Sequence, residues 1–135
     1  MNNGSFELFV NGTLMRGLAL HHNIASAVFL GEASTEPRYR VYSINDIHPG
    51  MFRLDDDEQG GISVPGELYL VSRPQWQHIE AGEPAHLYRG PVTLNDGREV
   101  WGILYPRHLA EKNGVDISAY GGWRGYVQSQ SVMTD

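Results

Sequence analysis

The sequence contains no cysteine, which removes disulfides, thiolate nucleophiles and cysteine-type zinc sites together and fits a reducing compartment. Basic charge is also scarce. Ten Lys and Arg stand against 16 Asp and Glu, a net charge of -6, so the summed field repels phosphate backbones and anionic headgroups and argues against nucleic acid or a membrane surface as partner. No apolar run approaches the roughly 20 residues that cross a bilayer, and residues 1–9 lack the basic start and apolar stretch of a secretory signal. A soluble, cytoplasmic protein is the expectation. No serine stands in a Gly-x-Ser-x-Gly elbow, and none of the six histidines forms a His-x-x-x-His pair on one helical face. Scattered surface or hydrogen-bonding histidines are therefore expected, with no metal and no cofactor. Residues 55–58 are acidic but lack the alternating ligands of a calcium loop, and read as a solvated loop.

What remains is one domain's worth of core: 135 residues, 41% of them hydrophobic, with no repeat, linker or boundary. Phe6-Glu7-Leu8-Phe9-Val10 reads as a buried strand that stops at the Asn11-Gly12 turn. Leu14, Leu18, Ala25 and Val28 predict a helix or broken helix after it. Residues 38–44 alternate as a strand, Pro49-Gly50 breaks the pattern, residues 51–54 resume it, and residues 62–70 form another strand with a bulge or edge at Pro65-Gly66. Ser72 and Gln75 have capping-box spacing, which predicts a short helix turning Trp76 and Ile79 inward and ending near Gly82. Asn95-Asp96-Gly97 between apolar segments predicts an antiparallel hairpin of residues 92–94 with 99–105. Residues 108–113 make one more helical turn closed by Gly114, and the polar tail beyond Val127 is expected to fray. Many short strands with a few helices imply an α+β fold. Tyr39, Val41, Phe52, Leu68, Trp101 and Ile103 are the expected core.

Two places can carry chemistry. A glycine turn between a strand and a helix, Asn11-Gly12-Thr13-Leu14, can present backbone N–H groups to a carboxylate or a developing oxyanion, or can be a connector only. Glu83 follows a helix end and precedes Pro84, so its carboxylate either projects from a rigid loop into a cleft or is simply solvated. His86, along the same loop, is the second candidate base.

These residues also carry a resemblance. Phe9-Val10-Asn11-Gly12-Thr13-Leu14 resembles the Tyr-Gly-Ser/Thr-Leu loop of gamma-glutamylcyclotransferase-like domains, with Asn11 standing where that family has tyrosine. Val64-Pro65-Gly66-Glu67-Leu68-Tyr69 is similar to its central strand, and Ile79-Glu80-Ala81-Gly82-Glu83 with Tyr88-Arg89 to the stretch after it. A narrower likeness, to the C-terminal domain of allophanate hydrolases, rests on Glu36-Pro37-Arg38-Tyr39-Arg40-Val41-Tyr42, Pro49-Gly50-Met51, residues 92–98 and, most specifically, Asp116-Ile117-Ser118-Ala119-Tyr120-Gly121-Gly122-Trp123-Arg124. Together the matches run over about residues 6–126. They do not include the Ser-cis-Ser-Lys amidase domain, so amide hydrolysis of that type is not implied. The resemblance implies a compact mixed β-barrel with flanking short helices. It also implies a pocket in which Glu83 is the catalytic acid-base and Asn11, Gly12, Thr13, Leu14 and Tyr120 bind a small-molecule substrate. In cyclotransferases that glutamate takes a proton from the α-amino group, the amine closes on the gamma-carbonyl, and the proton passes to the departing amine. The allophanate branch implies instead an accessory role in nitrogen metabolism, or a non-catalytic assembly module. The protein partner expected is a second copy or an amidase-type enzyme.

Overall fold

Strand β1 (Phe6–Val10) runs through the middle of the molecule in the computed structural model, which describes residues 4–133. Its side chains alternate, so Phe9 enters one apolar cluster while Leu8 and Val10 enter another on the opposite face. A strand covered on both sides reads as the continuous apolar run seen in the sequence. β1 pairs antiparallel with β5 (Pro65–Val71) and parallel with β7 (Glu99–Leu104). The five-stranded sheet has the order β2-β5-β1-β7-β6, with β2 (Val28–Ser34) and β6 (Tyr88–Thr93) at its margins. Those margins meet at one end: Thr35 bridges Leu94, Glu36 N–H donates to Thr93 O at 3.0 Å, and Asn95 N–H donates to Ser34 O at 2.9 Å. The sheet thus curls toward closure through this bridge, without a continuous ladder between β2 and β6 among the described residues.

A second sheet, β4-β3-β8, lies across the first and is built from β3 (Tyr39–Ile44), β4 (His48–Arg53) and β8 (Val115–Asp116). Tyr39 ties the two together, because its ring is in the main cluster and its hydroxyl accepts from Thr93 N–H at 3.1 Å. Helices α1 (Arg73–Gly82), α2 (Arg107–Asn113) and α3 (Trp123–Met133) flank the sheets, giving the mixed α+β architecture. The capping box forms as the spacing predicts: Ser72 Oγ accepts from Gln75 N–H, and Gln75 Oε1 accepts from Ser72 N–H. The hairpin also forms, with Val92 opposite Val100.

Other expectations need correction. Residues 12–24 are a chain of turns ending in a 3₁₀ turn, His21–Asn23, and Val28 already begins β2. Gly17 sits at φ +81, and Leu20 N–H donates back to Thr13 O, so the segment folds on itself and no i to i−4 ladder can run through it. Pro49 and Gly50 do not break a strand but lie within β4, opposite Ser43 and Tyr42. Proline is tolerated there because β4 is the sheet's margin. The reversal falls earlier, at Asn45 and Asp46, both with positive φ near 57° (56 and 57), a conformation that these two residue types accept readily. From Val127 to Met133 the chain is helical and not an irregular tail: α3 runs that far, anchored by buried Trp123 and by Tyr126 O–H, which donates to Asp46 at 2.6 Å, and the rest of the expected frayed tail lies outside the described residues.

Five of the six expected core residues are buried, but Trp101 is 41% exposed. Strand alternation places it on the outer face of β7, where Arg89 stands 4.8 Å over its ring. Replacing Trp101 by alanine is therefore expected to cost about 1 kcal/mol, and not the roughly 3–5 kcal/mol of a buried aromatic. A thermal melt of Trp101→Ala checks this, and a fall in Tm above about 10 °C would put Trp101 back among the core residues.

Candidate functional site

Two chain reversals bring the candidates together. Asn11 leaves the end of β1, and Glu83 leaves the end of α1; a cavity lined by Asn11, Gly12, Thr13 and Leu14 on one side has Glu83 on another. His48, Pro49 and Met51 of β4, with Leu87 and Ile103, complete its walls. The space open to the centre of a water-sized sphere is about 20 Å³, enough for about one water.

The loop is held from below. Glu67, only 3% exposed, accepts from Arg16 N–H at 2.9 Å, from Arg16 Nε at 3.0 Å and from Tyr69 O–H at 2.9 Å. Burial raises its pKa, but these hydrogen bonds and the Arg16 charge outweigh that and leave it below the usual carboxylate value. Gly12 is required by close approach: a Cβ there would lie 2.7 Å from Pro49 Cγ. Met15 N–H donates to Gly12 O, whereas the N–H groups of Gly12, Thr13 and Leu14 donate to no other group among the described residues. Glu83 is extended (φ -82, ψ 145) because Pro84 follows it, and this turns its side chain off the helix axis.

Two atoms stand out electrostatically. Asn11, 4% exposed, has a buried Nδ2 without a partner, and Glu83 has a buried Oε2 without one. Both residues line the same cavity. Native interiors rarely leave such groups unpaired, because each costs on the order of 1–3 kcal/mol. A buried amide donor and a buried carboxylate oxygen on two residues of one small cavity are a candidate polar pair for a ligand. Desolvation raises the Glu83 pKa to about 7, so near neutrality the carboxyl both gives and takes a proton.

His48 is a site residue that the sequence reading passed over, since an isolated histidine next to Pro49 carries no motif signal. It is buried, its Nδ1 donates to Pro49 O at 2.9 Å, and burial lowers its pKa, so it presents a neutral imidazole. Tyr120 is not brought to this cavity. It is 47% exposed, on the 3₁₀ turn Ser118–Tyr120, with its ring packed edge-on against Tyr126 at 5.3 Å. The left-handed Gly121 and the helix that follows carry Tyr120 against α3 instead. His86 also turns away, its ring edge-on to Tyr105 at 6.3 Å in a separate depression.

Comparison with known proteins adds the following. The family model of the allophanate hydrolase C-terminal domain matches residues 6–128. A urea amidolyase of Lachancea kluyveri is 28% identical over 130 residues, 91% of this chain but only 7% of that protein. The chain thus spans a small fraction of the curated relatives it matches. The crystal structure of c4763, a uropathogenic E. coli-specific protein, superposes with TM-score 0.83 at 40% identity, covering 92% of this chain and 96% of that one. A gamma-glutamyl cyclotransferase shares the fold, with TM-score 0.52 at 16% identity over 83% of this chain and 69% of that one. No helix among the described residues is long and apolar enough to cross a membrane.

Proposed function

The chain belongs to the family of allophanate hydrolase C-terminal domains, and from that premise we propose that it is a small-molecule enzyme of nitrogen metabolism in which Glu83 moves a proton on a compact, carboxylate- and nitrogen-bearing substrate. One observation carries the reading: Asn11 and Glu83, each with a buried polar side-chain atom that has no partner among the described residues, line a single cavity. Asn11 and the free N–H groups of Gly12, Thr13 and Leu14 hold the substrate's carbonyl or carboxylate oxygen. Protonated Glu83 then delivers its proton to the departing nitrogen as the carbon–nitrogen bond breaks, the bond's electron pair passes to that nitrogen, and the N-carboxylate carbon leaves as carbon dioxide, which water hydrates to bicarbonate. The Glu83 carboxylate regains a proton from solvent, which a pKa of about 7 permits at neutral pH. Allophanate is carboxylated urea, so the names of the relatives point to an N-carboxyl bond, as in a carbamate, as the one broken. Association with an amidase-type enzyme that supplies such a compound belongs to the same proposal.

A second reading, cyclisation of a gamma-glutamyl amine to 5-oxoproline with Glu83 as base, is favoured by the cyclotransferase fold. The amide of Asn11, in place of a tyrosine, favours the first.

The two are separated by product. Ureido and carbamate compounds, added directly or generated by an amidase, are assayed for ammonia and bicarbonate release, and gamma-glutamyl amines for 5-oxoproline. Acceleration of ammonia and bicarbonate release alone is expected. Only 5-oxoproline, or no turnover of either class, overturns the first reading.

A further inference from the structure

Glu83 has cavities on two sides. The first is the Asn11 cavity; the second is lined by Trp76, Glu80, Pro84 and Tyr88, and shares Glu83, Leu87 and Ile103 with the first. The second offers about 40 Å³ to the centre of a water-sized sphere. Each alone is far below the roughly 300 Å³ or more typical of a metabolite pocket, yet they adjoin along the three residues that line both, Glu83, Leu87 and Ile103. The two ends differ in chemistry. The inner end is lined by Asn11, whose Nδ2 is buried, and by Gly12, Thr13 and Leu14, all with donors that have no partner among the described residues. The outer end presents a carboxylate and aromatic rings. Glu80 lies one helical turn before Glu83, and its carboxylate has no ion-pair partner among the described residues. Tyr88, exposed, and Trp76 form the walls beside it. The neighbouring cation, Arg89, is outside this lining and is engaged by Phe6, Trp76 and Trp101 at 4.5, 5.1 and 4.8 Å. Its place over Trp76 illustrates the affinity of that ring for a positive charge.

We infer that the two cavities are the inner and outer halves of one elongated site, joined along the residues they share, and that the outer half binds the cationic, amine-bearing end of a ligand whose carboxylate end lies against Asn11. This deepens the proposed function by naming the substrate class as zwitterionic, and it rests on the Glu83 cavity being a ligand site. Glu80 is here a specificity residue: it touches the distal amine and not the reacting bond.

The test is a binding measurement, independent of turnover. The protein is titrated by NMR with ω-amino acids of three to six carbons, each beside the alkanoate of the same length, and the Asn11 side-chain amide and Trp76 indole resonances are followed. At the best-fitting length the amino acid is expected to bind roughly 2- to 5-fold tighter than its alkanoate, as one ion pair to Glu80 allows. Both resonances should move with a single dissociation constant. Glu80→Gln, an exposed substitution, should erase the preference and leave alkanoate binding unchanged. Equal binding of amino acid and alkanoate, separate constants for the two resonances, or a preference that survives in Glu80→Gln would overturn the inference. The outcome is distinguishable from failure of the proposed function, because a Glu80-dependent preference in a protein that turns nothing over retains the site and removes only the chemistry.

Discussion

Replacing Glu83 by glutamine is expected to lower turnover by roughly 10²–10⁴-fold, the usual loss when a positioned general acid-base is removed, while substrate binding is retained. Glutamine keeps the shape of the side chain and its place after α1, so the cavity formed with Asn11 persists. What it cannot do is donate and reaccept a proton near neutral pH, which the buried carboxyl, raised by desolvation to about 7, is able to do. Turnover at the wild-type rate would move the acid-base role elsewhere, with His48 the next residue to examine because it lines the same cavity.

The same substitution has a signature in stability. The folded-state pKa of Glu83 lies above the 4.5 of an unfolded glutamate, so the native state binds the extra proton between those values. Stability tied to this group is fully present below about pH 4.5 and is lost as pH rises through about 7, by at most about 3 kcal/mol for a shift of this size. Glu83→Gln cannot titrate. Its stability relative to wild type should therefore improve between pH 4 and pH 8 by up to that amount, whatever constant cost the buried amide brings. Denaturant melts at the two pH values read the difference directly. A gap that does not change with pH would mean that Glu83 ionises as an ordinary solvated carboxylate.

The second large effect is structural. Tyr39 is 0% exposed, sits in the main apolar cluster and joins the two sheets through the Thr93 N–H bond to its hydroxyl. Tyr39→Ala should cost about 3–5 kcal/mol from the lost ring and the cavity left behind, a large share of the ~5–15 kcal/mol that holds a domain together. Tyr39→Phe isolates the hydroxyl and should cost about 1 kcal/mol, because Thr93 N–H loses its acceptor. Paired melts of the two variants check both contributions. A Tm for Tyr39→Ala within a few degrees of wild type would mean that the sheets do not depend on this contact.

Local chemistry made several elements legible. The Ser72–Gln75 capping box, the Asn95-Asp96-Gly97 hairpin and the α2 stop at Gly114 are each written in a few adjacent residues whose geometry is satisfied locally. The segment after Asn11 was misread because its apolar spacing fits a helix, while Gly17 and the Leu20 to Thr13 bond close it into turns. Trp101 was misplaced because alternation along β7 says that one face is buried without saying which, and the choice depends on what packs against each side.

By itself, the sequence determined the α+β class, the family likeness over nearly the whole chain, and the two segments, Asn11-Gly12-Thr13-Leu14 and Glu83, from which the site is made. Tertiary structure alone decided that these segments face one cavity, that Tyr120 and His86 do not join them, and that His48 does. It also decided that the Glu83 carboxyl is pushed up to about 7, since that shift comes from desolvation, and desolvation depends on which distant strands and loops close over a carboxylate and not on its neighbours in the chain.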